Sequence, residues 1–357
     1  MPLPCIFSDV EGCIPAGTYQ ADMSFAWKLY FVSSSPFQRY QMCRTHNCMC
    51  SQFPAVSADL DVSGLPCPDF SRAGARHYEQ GITNTVFMCH AKRHIELQTP
   101  LIIIENVEDR GLKLGMLDVL YGHDYNIHPL FVDCTEQGHA GAARSRVYVI
   151  LAHKIRTRPL QCVKALYRRV SRFVEGHVAT QPQDYLVASD KDQLLEVQSV
   201  AAVRGKKLRT DVFARGDWTS VLNFREKKVL RELKKGFQKL CRRSAELDPN
   251  VFLYLGDSAK RRCWSVKTGR LPTFRRGSGK IWSVARRRWL TGSEKACALG
   301  FPANEDVARS MGVPIFPATD PRRAHLVAGN SMHFATAGVV QMVALCSFAL
   351  ASSQQPL

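Results

Sequence analysis

Acidic side chains are scarce through the middle of this chain. Residues 151–290 hold 12 Asp/Glu against 33 Lys/Arg, a balance of +21, while the rest holds 19 against 15, a balance of −4. That asymmetry favours a polyanionic partner such as nucleic acid, an anionic membrane surface or an acidic protein; the alternative is a solvated basic surface. A secretory apolar region is missing from the start, because "MPLPCIFSDV" is too short and contains Asp9. Long apolar runs are missing elsewhere, apart from "FATAGVVQMVALCSFALA" (334–351). That run is rich in Ala and Gly, and Gln341 interrupts it, so it reads as a buried helix rather than a membrane span. A paired zinc pattern is missing too. "CRTHNCMC" (43–50) offers Cys43, His46, Cys48 and Cys50, but the spacing matches no common zinc motif and no second ligand pair follows. No metal site is expected. The 13 cysteines are odd in number and irregular in spacing, as for reduced thiols of an intracellular protein.

What is present suffices for one large domain or two medium ones: 357 residues, 45% of them hydrophobic. Residues 26–32 read as a strand and 37–47 as a short helix. "ADLDVSGLP" (58–66) reads as a buried strand, 84–97 as a helix and "PLIIIENV" (100–107) as the clearest strand. A helix over 113–125 and strands over 127–138 and 146–153 follow. This alternation predicts an α/β domain with a parallel or mostly parallel sheet and helices on both faces. Ligands in such folds bind beyond the carboxyl ends of the strands, and Cys67 and Glu105 both fall just after strands. In the basic middle, 223–243 reads as a helix with Val229, Leu230, Leu233, Phe237 and Leu240 on one side. Residues 267–289 read as a basic loop in which Phe274, Trp282 and Trp289 suit backbone contacts and base stacking.

Six motifs then occur in order. "GLPCPDFSRAG" (64–74) is followed by "IIIENV" with Glu105 and Asn106, then by "AARSRVYVI" (142–150) with Arg144 and Arg146. A basic region comes next, then "RWLTGSEKACALGFP" (288–302) and "AGNSMHFATAGVVQMVAL" (328–345). This set resembles the cytosine-5 DNA methyltransferases. The resemblance implies a Rossmann-like, S-adenosylmethionine-dependent domain over 1–156. It implies a smaller basic target-recognition region over 157–285 and a segment, 286–357, returning to the catalytic domain.

It also implies the chemistry. The Cys67 thiolate would add to carbon 6 of cytosine, making carbon 5 an enamine carbon able to take a methyl group. Glu105 would hold ring N3 and the exocyclic amine, and Arg146 the O2, with Arg144 in support. Pro66, Asn106, Asn330 and Ser331 would face S-adenosylmethionine. The base must flip out of double-stranded DNA, which the basic region would grip. RNA is a second polyanion the same charge would attract, and a transfer-RNA methyltransferase or a catalytically silent DNA-binding relative are the other readings. A monomer, with no membrane partner and nuclear in a eukaryote, is expected. Four positions depart from the family pattern. "FSDVEG" (7–12) stands for a Phe-x-Gly-x-Gly loop, and the serines of "FVSSSPFQRY" (31–40) replace a ribose-binding acid. Pro68 and Ala142 replace glutamines. The first two weaken cofactor binding; the last two touch the catalytic pocket.

Overall fold

The computed structural model describes residues 3–53, 58–66, 69, 77, 81–108, 112–208, 216–275 and 280–351. The chain divides into two units, one of Met1–Val132, Ser145–Arg169 and Val340–Leu357, the other of Asp133–Arg144 and Val170–Val339.

In the first unit, two expectations fail at the start. Residues expected to form a strand form helix α1 (Phe25–Ser34). Ser24 caps it by accepting from Trp27 N, and Ser35 ends it just before Pro36. Phe25, Leu29 and Val32 recur at helical spacing and face the core. Aromatic content suggests a strand here, but the cap and this spacing prevail. Residues expected to form a helix instead form a hairpin of β1 (Tyr40–Cys43) and β2 (Cys48–Ser51). Asn47 closes its turn with φ 50°, a left-handed conformation Asn tolerates.

The central sheet follows. It is built from β3 (Leu60–Gly64), β4 (Leu101–Val107), β5 (Tyr125–Val132) and β6 (Arg146–His153). Helix α2 (Asn84–Leu97) joins β3 to β4, and α3 (Leu112–Tyr121) joins β4 to β5. The order is β3-β4-β6-β5. Only β3 and β4 pair in parallel; β6 runs antiparallel to both β4 and β5. The mostly parallel sheet is therefore corrected to a mixed one. Three strands share a direction, and β6 is inserted against them. Apolar runs carry no sign of strand direction, and both β4 and β6 are buried on both faces. The core beneath gathers Phe87, Met88, Ile102, Ile104, Leu117, Val149 and Leu151. Strand β7 (Thr157–Pro159) pairs with β11 (Phe348–Leu350). Between these two in sequence lie helices α4 (Val163–Glu175), α5 (Asp190–Val203), α6 (Phe224–Cys241), α7 (Gly292–Cys297), α8 (Glu305–Met311), α9 (Pro321–Asn330) and α10 (Phe334–Ser347). Among the described residues no helix is long and apolar enough to cross a membrane, and the described cysteines are free thiols.

The second unit has its own sheet and core. Strands β8 (Phe252–Tyr254), β9 (Ile281–Ser283) and β10 (Arg288–Trp289) form an antiparallel sheet in the order β10-β9-β8. Trp218, Trp282 and Trp289 are packed with Leu233, Phe237 and Leu253. Helix α6 buries Val229, Leu230, Leu233 and Phe237 as its spacing predicts, but Leu240 is exposed. A capping box of Asn223 and Glu226 starts this helix.

Buried histidines give this unit a pH dependence. Burial lowers His325 to about 4 and His333 to about 3, from an ordinary 6.5. Each contributes stability that is fully present above the unfolded value and lost as pH falls below it. Glu196 acts in the same direction at lower pH. Burial raises it, but the hydrogen bond from His325 and nearby lysines outweigh that and hold it at about 2. The thermal unfolding midpoint is therefore expected to drop steadily between pH 7 and pH 4. A midpoint that stays flat across that range in calorimetric scans would contradict the assignment.

Candidate active site

The antiparallel insertion of β6 creates the site. Because β6 enters at the end where β3 and β4 finish, its first residue lies beside the last residues of β4. The register pairs Val107 with Arg146 and Gly64 with Glu105. Glu105 lies inside β4 rather than just after it, 8% exposed. Arg146 Nε meets Glu105 Oε1 at 2.7 Å, and Arg146 Nη1 donates to the Ser145 carbonyl at 2.8 Å. A carboxylate and a guanidinium side by side offer a planar set of polar groups at the rim of a sheet. That set matches a base edge carrying both acceptors and an amine.

Asn106 ties this rim to the next strand end. Its Nδ2 donates to the Leu65 carbonyl at 3.1 Å, and its Oδ1 accepts from Val107 N at 2.8 Å. Leu65 and the half-buried Pro66 are the last described residues before Cys67, which lies outside the described residues, as does Pro68. Beyond them, buried Asp69 accepts from Thr83 N at 3.0 Å and Thr83 Oγ1 at 2.5 Å, at the start of α2. In sequence, Cys67 falls between two anchored residues, Leu65 held by Asn106 and Asp69 held by Thr83.

A further polar network behind β3 escapes sequence reading. Ser63 donates to Asp61 at 2.5 Å, so the 2.9 Å contact has His90 Nε2 donating to Ser63. His90 Nδ1 then accepts from the Tyr121 hydroxyl at 2.6 Å. These groups fix β3 to α2 and α3. They lie up to 60 residues apart, and no local pattern joins them.

Several positions assigned to the methyl donor are held by local contacts. "FSDVEG" is no glycine loop: Val10–Cys13 is a single 3-10 turn capped by the Asp9 side chain. Glu11 Oε1 accepts from Tyr19 and Thr85, and a Cβ on Gly12 would lie 2.1 Å from Gln41 Nε2. The turn packs against Tyr19, Gln41 and Thr85. Ser33 and Ser34 end helix α1 rather than follow a strand, so they occupy no ribose-binding strand end. Asn106 spends both ends of its amide on backbone. Asn330 is the last residue of α9 rather than the start of a helix, and Ser331 donates to the Val327 carbonyl at 2.7 Å. Arg144 is buried, and it belongs with Asn330 and Ser331 to the second unit. Ala142 is buried there too, its carbonyl accepting from Cys134.

In the basic region, the stacking expectation is overturned. Phe274, Trp282 and Trp289 are 4%, 2% and 0% exposed, so no base can stack on them. Trp289 Nε1 donates to buried Glu196 at 3.0 Å. Composition shows aromatics among cations but not that the second unit needs those aromatics for its core. Helix α6 carries exposed cations, among them Lys228, Arg231, Lys235 and Lys239, and helix α4 carries others, among them Lys164 and Arg169. The motif "RWLTGSE" also proves structural. Arg288 clamps Glu294 at 2.8 and 2.6 Å, and Thr291 and Glu294 form the capping box of α7.

The profile of the C-5 cytosine-specific DNA methylase family matches residues 25–310. Several solved structures are similar. One is a prophage-encoded E. coli protein assigned as a DNA modification methyltransferase, at 16% identity and a TM-score of 0.44, covering 81% of this chain and 78% of that one. Another is the S. pombe Dnmt2 methyltransferase, at 16% identity and a TM-score of 0.41, covering 80% and 78%. The Entamoeba histolytica methyltransferase EhMeth is similar at 12% identity and a TM-score of 0.38, covering 81% and 75%. No curated protein matches.

Proposed function

Because the chain belongs to the C-5 cytosine-specific DNA methylase family, we propose that it acts on cytosine in double-stranded DNA through a covalent Cys67 adduct. That is the route by which a DNA cytosine-5 methyltransferase prepares carbon 5 for S-adenosylmethionine. The observation that carries this reading is the 2.7 Å pairing of Glu105 with Arg146, at the end of β4 that pairs with the last residue of β3. Cys67 adds to carbon 6 of an extruded cytosine as the Glu105 carboxyl group gives N3 a proton, which it takes back when the thiolate leaves. Carbon 5 takes a proton from water. Loss of the original carbon-5 hydrogen and elimination of the thiolate then restore cytosine. This exchange needs no methyl donor, so it reads the Cys67 step apart from any use of the Asp9–Cys13 turn. That turn also favours a second reading, a relative that binds DNA without methylating it.

The test is release of tritium to water from mixed-sequence duplex DNA labelled at cytosine carbon 5, with and without S-adenosylmethionine. Release without the donor is expected. DNA binding with no release under either condition would remove the covalent reading and leave the silent one.

The DNA-binding part has its own check. Exchanging Lys228, Arg231, Lys235 and Lys239 for Ala is expected to weaken duplex binding and flatten its salt dependence. The slope of log affinity against log salt should fall by about 0.9 for each phosphate no longer neutralised. The melting temperature should hardly move, because these side chains are exposed. An unchanged salt slope would place the DNA on another face.

A further inference from the structure

We propose that Cys5, Cys43, His46 and Cys50 form a structural zinc site. Their four ligand atoms lie within 4.8 Å of one another. His46 Nδ1 stands 3.5 Å from Cys5 Sγ, 3.3 Å from Cys43 Sγ and 3.7 Å from Cys50 Sγ. A tetrahedral zinc with Zn–S of about 2.3 Å and Zn–N of about 2.0–2.1 Å sets sulfur–nitrogen separations of roughly 3.5 Å. The ligands already stand at that spacing. Three thiols and one imidazole make a soft donor set with no position left for water, the pattern of a structural rather than a catalytic zinc.

The chain explains why the spacing in "CRTHNCMC" is uninformative by itself. The fourth ligand is not Cys48 but Cys5, delivered from the N-terminal segment. Arg44 N donates to the Ile6 carbonyl at 2.7 Å, and Phe7 forms a bridge with Cys43, which sets Cys5 beside the hairpin. Cys43 ends β1, His46 is in the turn, and Cys50 is in β2 opposite Gln41. Cys48 is left as an exposed neighbour of Cys50.

The hairpin also needs such a clamp. It has two strands of four residues each, in a sheet of its own, and Tyr40, Met42 and Met49 are 60%, 53% and 57% exposed. Isolated two-stranded hairpins are marginal in water. Metal binding that closes a loop from residue 5 to residue 50 supplies the missing stability.

The experiment uses the full chain, purified with its thiols reduced. Elemental analysis should find about one zinc per chain, matching a single four-ligand site. Exchange for Co2+ should give visible absorption bands of a tetrahedral thiolate site. Cys5→Ser, Cys43→Ser and Cys50→Ser should each lose the metal or its tetrahedral spectrum, whereas Cys48→Ser should keep both. The inference is overturned if the native protein carries no zinc and gives no tetrahedral Co2+ spectrum. It is equally overturned if Cys48→Ser loses as much metal as Cys50→Ser, or if mass spectrometry finds a disulfide among the four ligands. The native Co2+ spectrum decides the matter even if a variant fails to fold.

Discussion

Glu105→Gln is expected to lower carbon-5 hydrogen exchange by roughly 10²–10³-fold, the usual cost of removing one preorganised group that stabilises developing charge. Glutamine keeps the shape and can still accept from the exocyclic amine, so duplex affinity should change little. What it loses is the acid that meets N3 as Cys67 adds to the ring. The carboxylate is 8% exposed and held by Arg146 at 2.7 Å, so bulk water cannot readily replace it. The readout is tritium release at saturating DNA, with binding measured alongside. If release is undiminished, Glu105 serves only to hold Arg146.

Arg288→Ala should be the most destabilising single change in the second unit, by about 3–5 kcal/mol in urea denaturation. That is the cost of leaving a buried carboxylate without its partner. Arg288 and Glu294 are 5% and 0% exposed, and the Glu294 carboxylate also takes Thr291 N and Ala188 N. Loss of the guanidinium therefore disturbs the start of α7 as well as the ion pair. Replacing both residues by apolar ones, Arg288→Met with Glu294→Leu, should cost less than the two single changes together. A single-variant loss under about 1 kcal/mol, the range of an exposed pair, would show that the clamp is not buried in solution.

Several of these features are legible in the sequence, and the physical reason differs for each. Strand β4 announces itself because a strand buried on both faces must be apolar throughout. The direction of β6 does not, since parallel and antiparallel strands buried on both faces look alike. Yet that direction is what brings Arg146 to Glu105, 41 residues away. Only the resemblance links the two in advance; spacing alone does not. Helix α1 is hidden by aromatic residues that also favour strands. The tryptophans mislead because composition cannot distinguish an aromatic offered to a base from one needed in a small core. "RWLTGSE" is recognisable as a motif, but its chemistry, a buried ion pair on a capped helix, appears only with the fold. Cys5 is invisible as a partner of Cys43, His46 and Cys50 because it lies 38 residues before the first of them.

The central claim is that Cys67 attacks carbon 6 of a cytosine beside Glu105 and Arg146. It is tested most directly by mass spectrometry of the protein incubated, without methyl donor, with duplex DNA carrying 2-pyrimidinone in place of cytosine. That ring accepts a thiolate at carbon 6 more readily than cytosine does. A denaturation-resistant adduct is predicted, with the modified peptide containing Cys67 and no adduct from Cys67→Ser. An adduct on another cysteine, or none with the native protein, would contradict the account.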